Sequence, residues 1–336
     1  MDLSTSYMGL ALRNPLVASP SPLSRSLEGV RALAEAGVGA VVLPSLFEEQ
    51  LAEEAARTAR AFEAGSESFA ESLSYFPAVA GEEAGPRRYL SLLERAVAAV
   101  EVPVIASLNG VTPGGWSDYA RAMESAGAAA IELNVYYLPG DLHVSGRDVE
   151  RRHLEALRGV KQAVGIPVAV KLAPYFSSIG EVALALDEAG ADALVLFNRF
   201  LQPDIDPESL GVVAKVGLSS PEEARLPRTW IALLYGRLGA SLGATTGVES
   251  SADVARYLLA GADVVMSASA LLRHGPGYAR VLLDELSRWM ARKGFSALDE
   301  LRGLLAVPRA ADASLHERAG YVRALREANG ANYGPW

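Results

Sequence analysis

Gly243-Ala-Thr-Thr-Gly-Val-Glu-Ser-Ser-Ala-Asp-Val254, followed by Leu258-Leu-Ala-Gly-Ala-Asp-Val-Val-Met-Ser-Ala-Ser-Ala-Leu271, decides the fold. Each half opens on a short apolar run, passes through small and hydroxylated residues, and enters a helical pattern. A glycine, Gly261, separates the first helix from the second run. A buried strand, a turn with free N–H groups and a helix closed by glycine make one βα unit.

The same rhythm runs back through the chain. Strands are expected at 16–19, 40–44, 104–108, 130–134, 168–171, 193–197, 240–245 and 263–267. Helices are expected at 26–36, 87–100, 117–126 (with Ser117 as N-cap), 148–164, 179–189, 228–238 and 252–260, most ending on a glycine. Eight such units favour a single (β/α)8 TIM barrel of class α/β, with an open doubly wound sheet as the alternative. Two stretches interrupt the repeat. An insertion at about 47–100 follows the second strand, with a polar helix at 48–63 and a loop at 65–85. After 307 comes a tail, 308–336, with a helix at 314–328. The barrel is therefore assigned to 1–307 and the tail to 308–336.

Composition narrows the function. The chain has 336 residues, half of them hydrophobic, so it can bury a large core. Its net charge is −9, with no basic run, which disfavours nucleic acid and anionic membranes as partners. The start Met1-Asp-Leu-Ser-Thr-Ser has neither the basic nor the apolar segment of a secretory leader, and a cytoplasmic location is expected. There are no cysteines. Disulfides, thiolate catalysis and a cysteine-ligated cluster within this chain are excluded. No metal site is expected.

In a barrel of this type the chemistry sits at the C-terminal strand ends. Those positions read Ser19, Ser45, Asn109, Asn134, Lys171, Asn198, Thr246 and Ser267. Singly, each could be a turn or capping residue. Lys171 ends the strand expected at 168–171, in the otherwise apolar stretch Val168-Ala-Val-Lys-Leu-Ala-Pro-Tyr-Phe176, where a lysine either serves a ligand or snorkels to water. Thr246-Gly247 and Ser267-Ala268-Ser269 end the seventh and eighth strands, the common phosphate position of barrels, although two ordinary βα turns would read the same. Lysine on one side and a phosphate cradle on the other suggest an anionic cofactor. A sugar phosphate held as a Lys171 Schiff base is the non-redox alternative.

Taken in order, several words of this chain resemble the class 1 dihydroorotate dehydrogenases, flavin-dependent barrels of pyrimidine biosynthesis. They are Leu12-Arg-Asn-Pro-Leu-Val-Ala-Ser19, Leu133-Asn-Val135, Val170-Lys-Leu-Ala-Pro-Tyr-Phe176, Thr246-Gly-Val-Glu-Ser-Ser-Ala-Asp253, Gly261-Ala262 and Ser269-Ala-Leu271, with His274-Gly-Pro276 to Arg292-Lys-Gly-Phe295 matching the last helix. The resemblance spans about residues 12–295. It implies an FMN cofactor, held by Ala18, Ser19, Ser45, Asn109, Asn134, Lys171, Asn198, Thr246, Gly247, Ser267, Ala268 and Ser269, with Lys171 beside the flavin ring. It further implies a small-molecule substrate touching Asn134, Tyr136 and Asn198, a separate electron acceptor or redox partner, and a homodimer.

The substrate half departs from the family pattern. The family's lysine at the second strand is replaced at about Pro44 in Val42-Leu-Pro-Ser-Leu-Phe47. Its Cys or Ser base falls at Tyr137 in Asn134-Val-Tyr-Tyr-Leu-Pro-Gly140, which also lacks the following asparagine. The asparagine-bearing loop after the second strand reads Ser72-Leu-Ser-Tyr-Phe-Pro77, and the glycine-rich segment reads Ser219-Ser-Pro-Glu-Glu-Ala224. Tyr75, Phe76, Tyr136, Tyr137 and Phe47 would leave the polar groups of orotate unpaired. Three functions remain in view: a hydride-transferring FMN oxidoreductase with an altered substrate, a genuine dihydroorotate dehydrogenase with an unusual base, and a flavin- or phosphate-ligand-binding barrel without catalysis. The catalytic candidates are Tyr137 and Lys171, with His143 a second acid/base candidate or an ordinary solvated loop histidine.

Overall fold

β-Branched and apolar runs flanked by helices on both sides have one stable use, a parallel sheet covered on its outer face. The computed structural model describes residues 1–49, 85–110, 116–137, 140–201, 203–213 and 217–331. An N-terminal antiparallel hairpin, β1 (Thr5–Tyr7) and β2 (Leu10–Leu12), precedes the barrel. The barrel strands are β3 (Leu16–Ala18), β4 (Ala40–Phe47), β5 (Val104–Asn109), β6 (Ala130–Asn134), β7 (Val168–Leu172), β8 (Ala193–Leu196), β11 (Ser241–Ala244) and β12 (Val264–Ser267). They pair in parallel and in chain order, and β12 returns to β3, so the sheet is closed. A second hairpin, β9 (Asp204–Asp206) with β10 (Gly211–Val213), lies in the connection after β8. The (β/α)8 expectation holds and the open-sheet alternative does not.

Alternation along the strands sorts the core into two layers. Leu16, Val41, Leu133, Val170 and Leu194 face the helices. Val17, Val42, Ile105, Ala169, Val195 and Met266 face the barrel axis. Tyr7, Met8 and Leu12 join that inner layer from the hairpin. Thr5 Oγ1 donates to Asp263 O, and Met8 N donates to Ser241 Oγ, so the hairpin closes the end of the barrel where β11 and β12 begin. At that end, side-chain acceptors take the first strand N–H groups. Asp192 accepts from Val168, Asp263 from Leu242, and Asn14 from Leu16. The opposite end, where the strands finish, is left for loops.

The expected helices are present with small shifts. The helix expected at 228–238 is Arg225–Leu234; Pro221 starts a preceding 3-10 turn, and the positive φ falls on Gly236 rather than Gly239. Ser117 is the second residue of the helix Trp116–Ser125 rather than its N-cap, and its hydroxyl donates to Gly159 O on the neighbouring helix. The expected helix at 48–63 and loop at 65–85 lie almost wholly outside the described residues, while the helix after the insertion is Pro86–Ala99. The tail contains the helix Ala313–Ala331. Before it, Gly303, Leu305 and Val307 donate backbone hydrogen bonds to Leu258, Leu259 and Ala232, which ties the segment to the barrel's outer helices. No helix among the described residues is long and apolar enough to cross a membrane.

Candidate active site

Each strand leaves its last side chain at the mouth, so barrel closure should bring the polar strand ends together. A cavity of about 250 Å³ there is lined by Ser19, Lys171, Asn198, Thr246, Gly247, Ser267, Ala268 and Ser269, with Phe197, Arg199 and Ser219 among its other walls. These eight sequence candidates come from β3, β7, β8, β11 and β12 or the turns that follow them. Ala18, Ser45, Asn109, Asn134, Tyr136 and Tyr137 do not line it. Ala18 is buried in the helix-facing layer. Ser45 shares a 2.8 Å hydroxyl contact with Ser107 on β5. Asn109 is buried at the end of β5.

Lys171 reaches inward. Its Nζ donates to Glu132 Oε1 at 3.2 Å, with side-chain exposures of 9% and 2%. Glu132 is the one acid and Lys171 the one base within the eight barrel strands. The sequence reading did not single out Glu132. The available signal was an ionisable residue within the apolar run Ala130–Asn134, on the same strand face as Asn134. Among the described residues its buried Oε2 has no hydrogen-bond partner, and neither has the buried Tyr7 hydroxyl. Burial first, then the charges of Glu132 and Asp263, push the Tyr7 phenol well above its ordinary range, so it stays protonated.

The opposite wall is built from hydroxyls and amides. Gly247 N donates to Ser219 Oγ at 3.1 Å, and Ser219 N donates to Ser269 Oγ at 2.9 Å. Arg273 holds the Ser219 carbonyl at 2.9 Å. Ser219 thus joins the β11 and β12 turns; its position in a segment that departs from the family pattern hid it. Ser267 Oγ, also in the wall, is buried with no partner among the described residues. Gly247 has φ +69°, and a Cβ there would lie 2.6 Å from Ser220 O and 2.8 Å from Ala224. No side chain fits. Thr246 also takes a positive φ, 80°, with its hydroxyl donating to Phe197 O at 3.2 Å.

Beside the cavity, Asn198 Nδ2 donates to Asn134 Oδ1 at 2.9 Å. Tyr136 stacks on Phe200 with ring centroids 4.1 Å apart, and Tyr175 meets Phe200 edge-on. The Tyr136 hydroxyl accepts from Leu201 N at 2.8 Å. Tyr137 lies under the Arg152 guanidinium, 4.4 Å from its ring centroid. His143 is exposed. Tyr75 and Phe76 lie outside the described residues.

Chemically, the cavity offers a buried cation at one side and neutral donors at the other, which suits an elongated anionic ligand. The sequence model of the dihydroorotate dehydrogenase family matches residues 3–290. The catalytic subunit of dihydroorotate dehydrogenase B (NAD(+)) from Methanocella arvoryzae is 28% identical over 90% of this chain and 98% of its own length. The proteins of the same name from Methanothermobacter thermautotrophicus and Listeria monocytogenes are each 32% identical, over 61% and 60% of this chain and 69% and 68% of theirs.

Proposed function

The chain belongs to the dihydroorotate dehydrogenase family, and on that premise we propose that it is an FMN-dependent oxidoreductase acting on CH–CH bonds, with a substrate other than dihydroorotate. The observation that carries the cofactor half is the cavity with Lys171 at one wall and, in another, the Ser267 hydroxyl, which no described residue hydrogen-bonds. The residues present fit the cofactor. Thr246, Gly247, Ser267, Ala268, Ser269 and Ser219 would hold its phosphate through backbone amides and hydroxyls, and Ser19 and Asn198 would lie along its length. Bound there, FMN would supply the hydride acceptor.

The protein's own residues do the rest. Lys171 would set a positive charge beside the bound ring and so favour its anionic, reduced form. Asn134 and Asn198, joined to each other, present amide groups that orient the substrate. Tyr136, Phe200 and Tyr175 form an aromatic wall that displaces water. Tyr137, with the Arg152 guanidinium over its ring, is the candidate acid/base.

The altered substrate rests on the loop Asn134-Val-Tyr-Tyr, where aromatic rings stand in place of the family's small base and its asparagine. With its hydroxyl engaged by Leu201 N, Tyr136 offers a substrate its ring rather than a free polar group. A flat polar anion would lose about 1–3 kcal/mol for each group left unpaired.

The test is an absorbance spectrum of the purified protein, identification of the released cofactor by mass, and anaerobic titration with dihydroorotate. FMN bands that dihydroorotate does not bleach are expected. A colourless protein that takes up no added FMN would sink the flavin reading. The names of the relatives favour a second reading, a genuine dihydroorotate dehydrogenase of pyrimidine biosynthesis with an unusual base. Rescue of a pyrimidine auxotroph by this gene would establish it in place of the first. In either reading the electron acceptor is separate. An iron–sulfur relay, if used, sits on a partner chain, because this one has no cysteine. A homodimer working in the cytoplasm completes the proposal.

A further inference from the structure

We propose that Glu132 is the positioning residue for the Lys171 ammonium and sets how much positive charge the flavin ring meets. The proposal rests on the FMN reading above. Glu132 pairs in register with Ala169, and Asn134 with Lys171, so Lys171 lies one inward step nearer the mouth than the carboxylate. Its side chain nevertheless meets Glu132 Oε1 at 3.2 Å. Ala169, opposite Glu132, leaves room for that approach.

The pairing is poorly served as a device for stability. Two buried charges must leave water, and one carboxylate oxygen gains no hydrogen bond from the described residues in return. A salt bridge kept under those conditions is better explained by what it holds in place. A lysine alone is a point charge on a flexible stem of four carbons. Anchored to Glu132, its nitrogen is confined to the barrel axis, and the pair presents a dipole rather than an isolated charge to the cavity. The field of a dipole falls off faster with distance than that of a single charge. Glu132 therefore tempers the stabilisation that Lys171 gives to a negatively charged ring while keeping it aimed. Tyr7, protonated and buried in the same inner layer, adds a neutral hydroxyl near the pair without cancelling its charge.

The experiment measures the midpoint potential of protein-bound FMN, its dissociation constant, and the thermal stability of the cofactor-free protein. The proteins are wild type, Glu132→Gln, Lys171→Met and the double variant. Glu132→Gln keeps the shape and an acceptor for Lys171 but removes the charge. The expected result is a shift of the two-electron equilibrium toward reduced flavin by tenfold or more, about 30 mV in potential, with reduced FMN bound correspondingly tighter relative to oxidised. In the cofactor-free protein, Lys171→Met strands the carboxylate and lowers the melting temperature, and adding Glu132→Gln recovers part of the loss. An unchanged potential in Glu132→Gln overturns the proposal and leaves Glu132 a packing residue. A double variant no more stable than Lys171→Met overturns the coupling. A wild-type protein that takes up no FMN overturns the cofactor reading and the potential half of the proposal with it, while the stability cycle still decides the pairing.

Discussion

Asn198, just beyond β8, donates its side-chain amide to Asn134 Oδ1 at the end of β6, 2.9 Å away and across the intervening β7. The Asn198 backbone N–H is itself fixed by Leu172 O of β7 at 2.7 Å. Three strand ends are thereby locked at the mouth.

Loss of either asparagine should therefore cost more than its own hydrogen bond. Asn134→Ala and Asn198→Ala are each expected to lower unfolding free energy by about 1–2 kcal/mol. The double variant should cost less than the sum, because the second change removes a partner already orphaned. Urea denaturation of all four proteins measures this coupling, expected at ~0.5 kcal/mol or more.

Thr246 and Gly247 both take positive φ, yet opposite outcomes are expected from substituting them. Thr246→Gly relieves strain of about 1–3 kcal/mol. It also loses the hydroxyl bond to Phe197 O, about 1 kcal/mol, and loosens the unfolded chain by a few tenths to ~1 kcal/mol. Net stability should move by no more than about 1 kcal/mol. Gly247→Ala pushes a methyl against Ser220 O and Ala224 and should cost at least about 2 kcal/mol. Denaturation midpoints and FMN titration of the two variants check the contrast, with cofactor binding lost in Gly247→Ala alone.

A pH dependence follows from His153. Its Nδ1 donates to Val149 O at 2.8 Å, and its buried Nε2, beside Phe176, has no partner among the described residues. Burial lowers its pKa below the ordinary 6.5. Below pH 6.5 the unfolded chain binds a proton that the folded one refuses, so this contribution is complete above 6.5 and is lost as pH falls toward the lowered value. The limiting slope for one such group is about 1.4 kcal/mol per pH unit. His153→Phe should flatten the stability profile just below pH 6.5, measured by urea unfolding at closely spaced pH values. An unchanged slope would show that His153 is not its source.

Tyr136→Phe separates ring from hydroxyl. The stack on Phe200 is retained, but Leu201 N loses its acceptor. Amide hydrogen exchange at Leu201 should accelerate while global stability falls by no more than about 1 kcal/mol. Protection at Leu201 equal to wild type would mean that this bond does not hold the loop after β8.

Much of the fold was legible in the sequence. The eight apolar runs, the helices between them and several of their closing glycines are local patterns, readable because side-chain periodicity and left-handed backbone are properties of neighbouring residues. Local patterns also placed Lys171, Asn198, Thr246, Gly247, Ser267 and Ser269 at strand ends, and closure alone brings strand ends together. Boundaries were less legible where two start signals competed, as at Pro221 and Arg225. What only the tertiary structure decided is which mouth residues meet. Lys171 finds Glu132 from 39 residues away, Asn198 finds Asn134 from 64, Leu201 finds Tyr136 from 65, and Ser219 finds Ser269 from 50. Neither partner in such a pair shapes the local pattern around the other. Their separations are set by strand register and by the circumference of the closed barrel, and a buried polar group takes whichever partner that geometry presents.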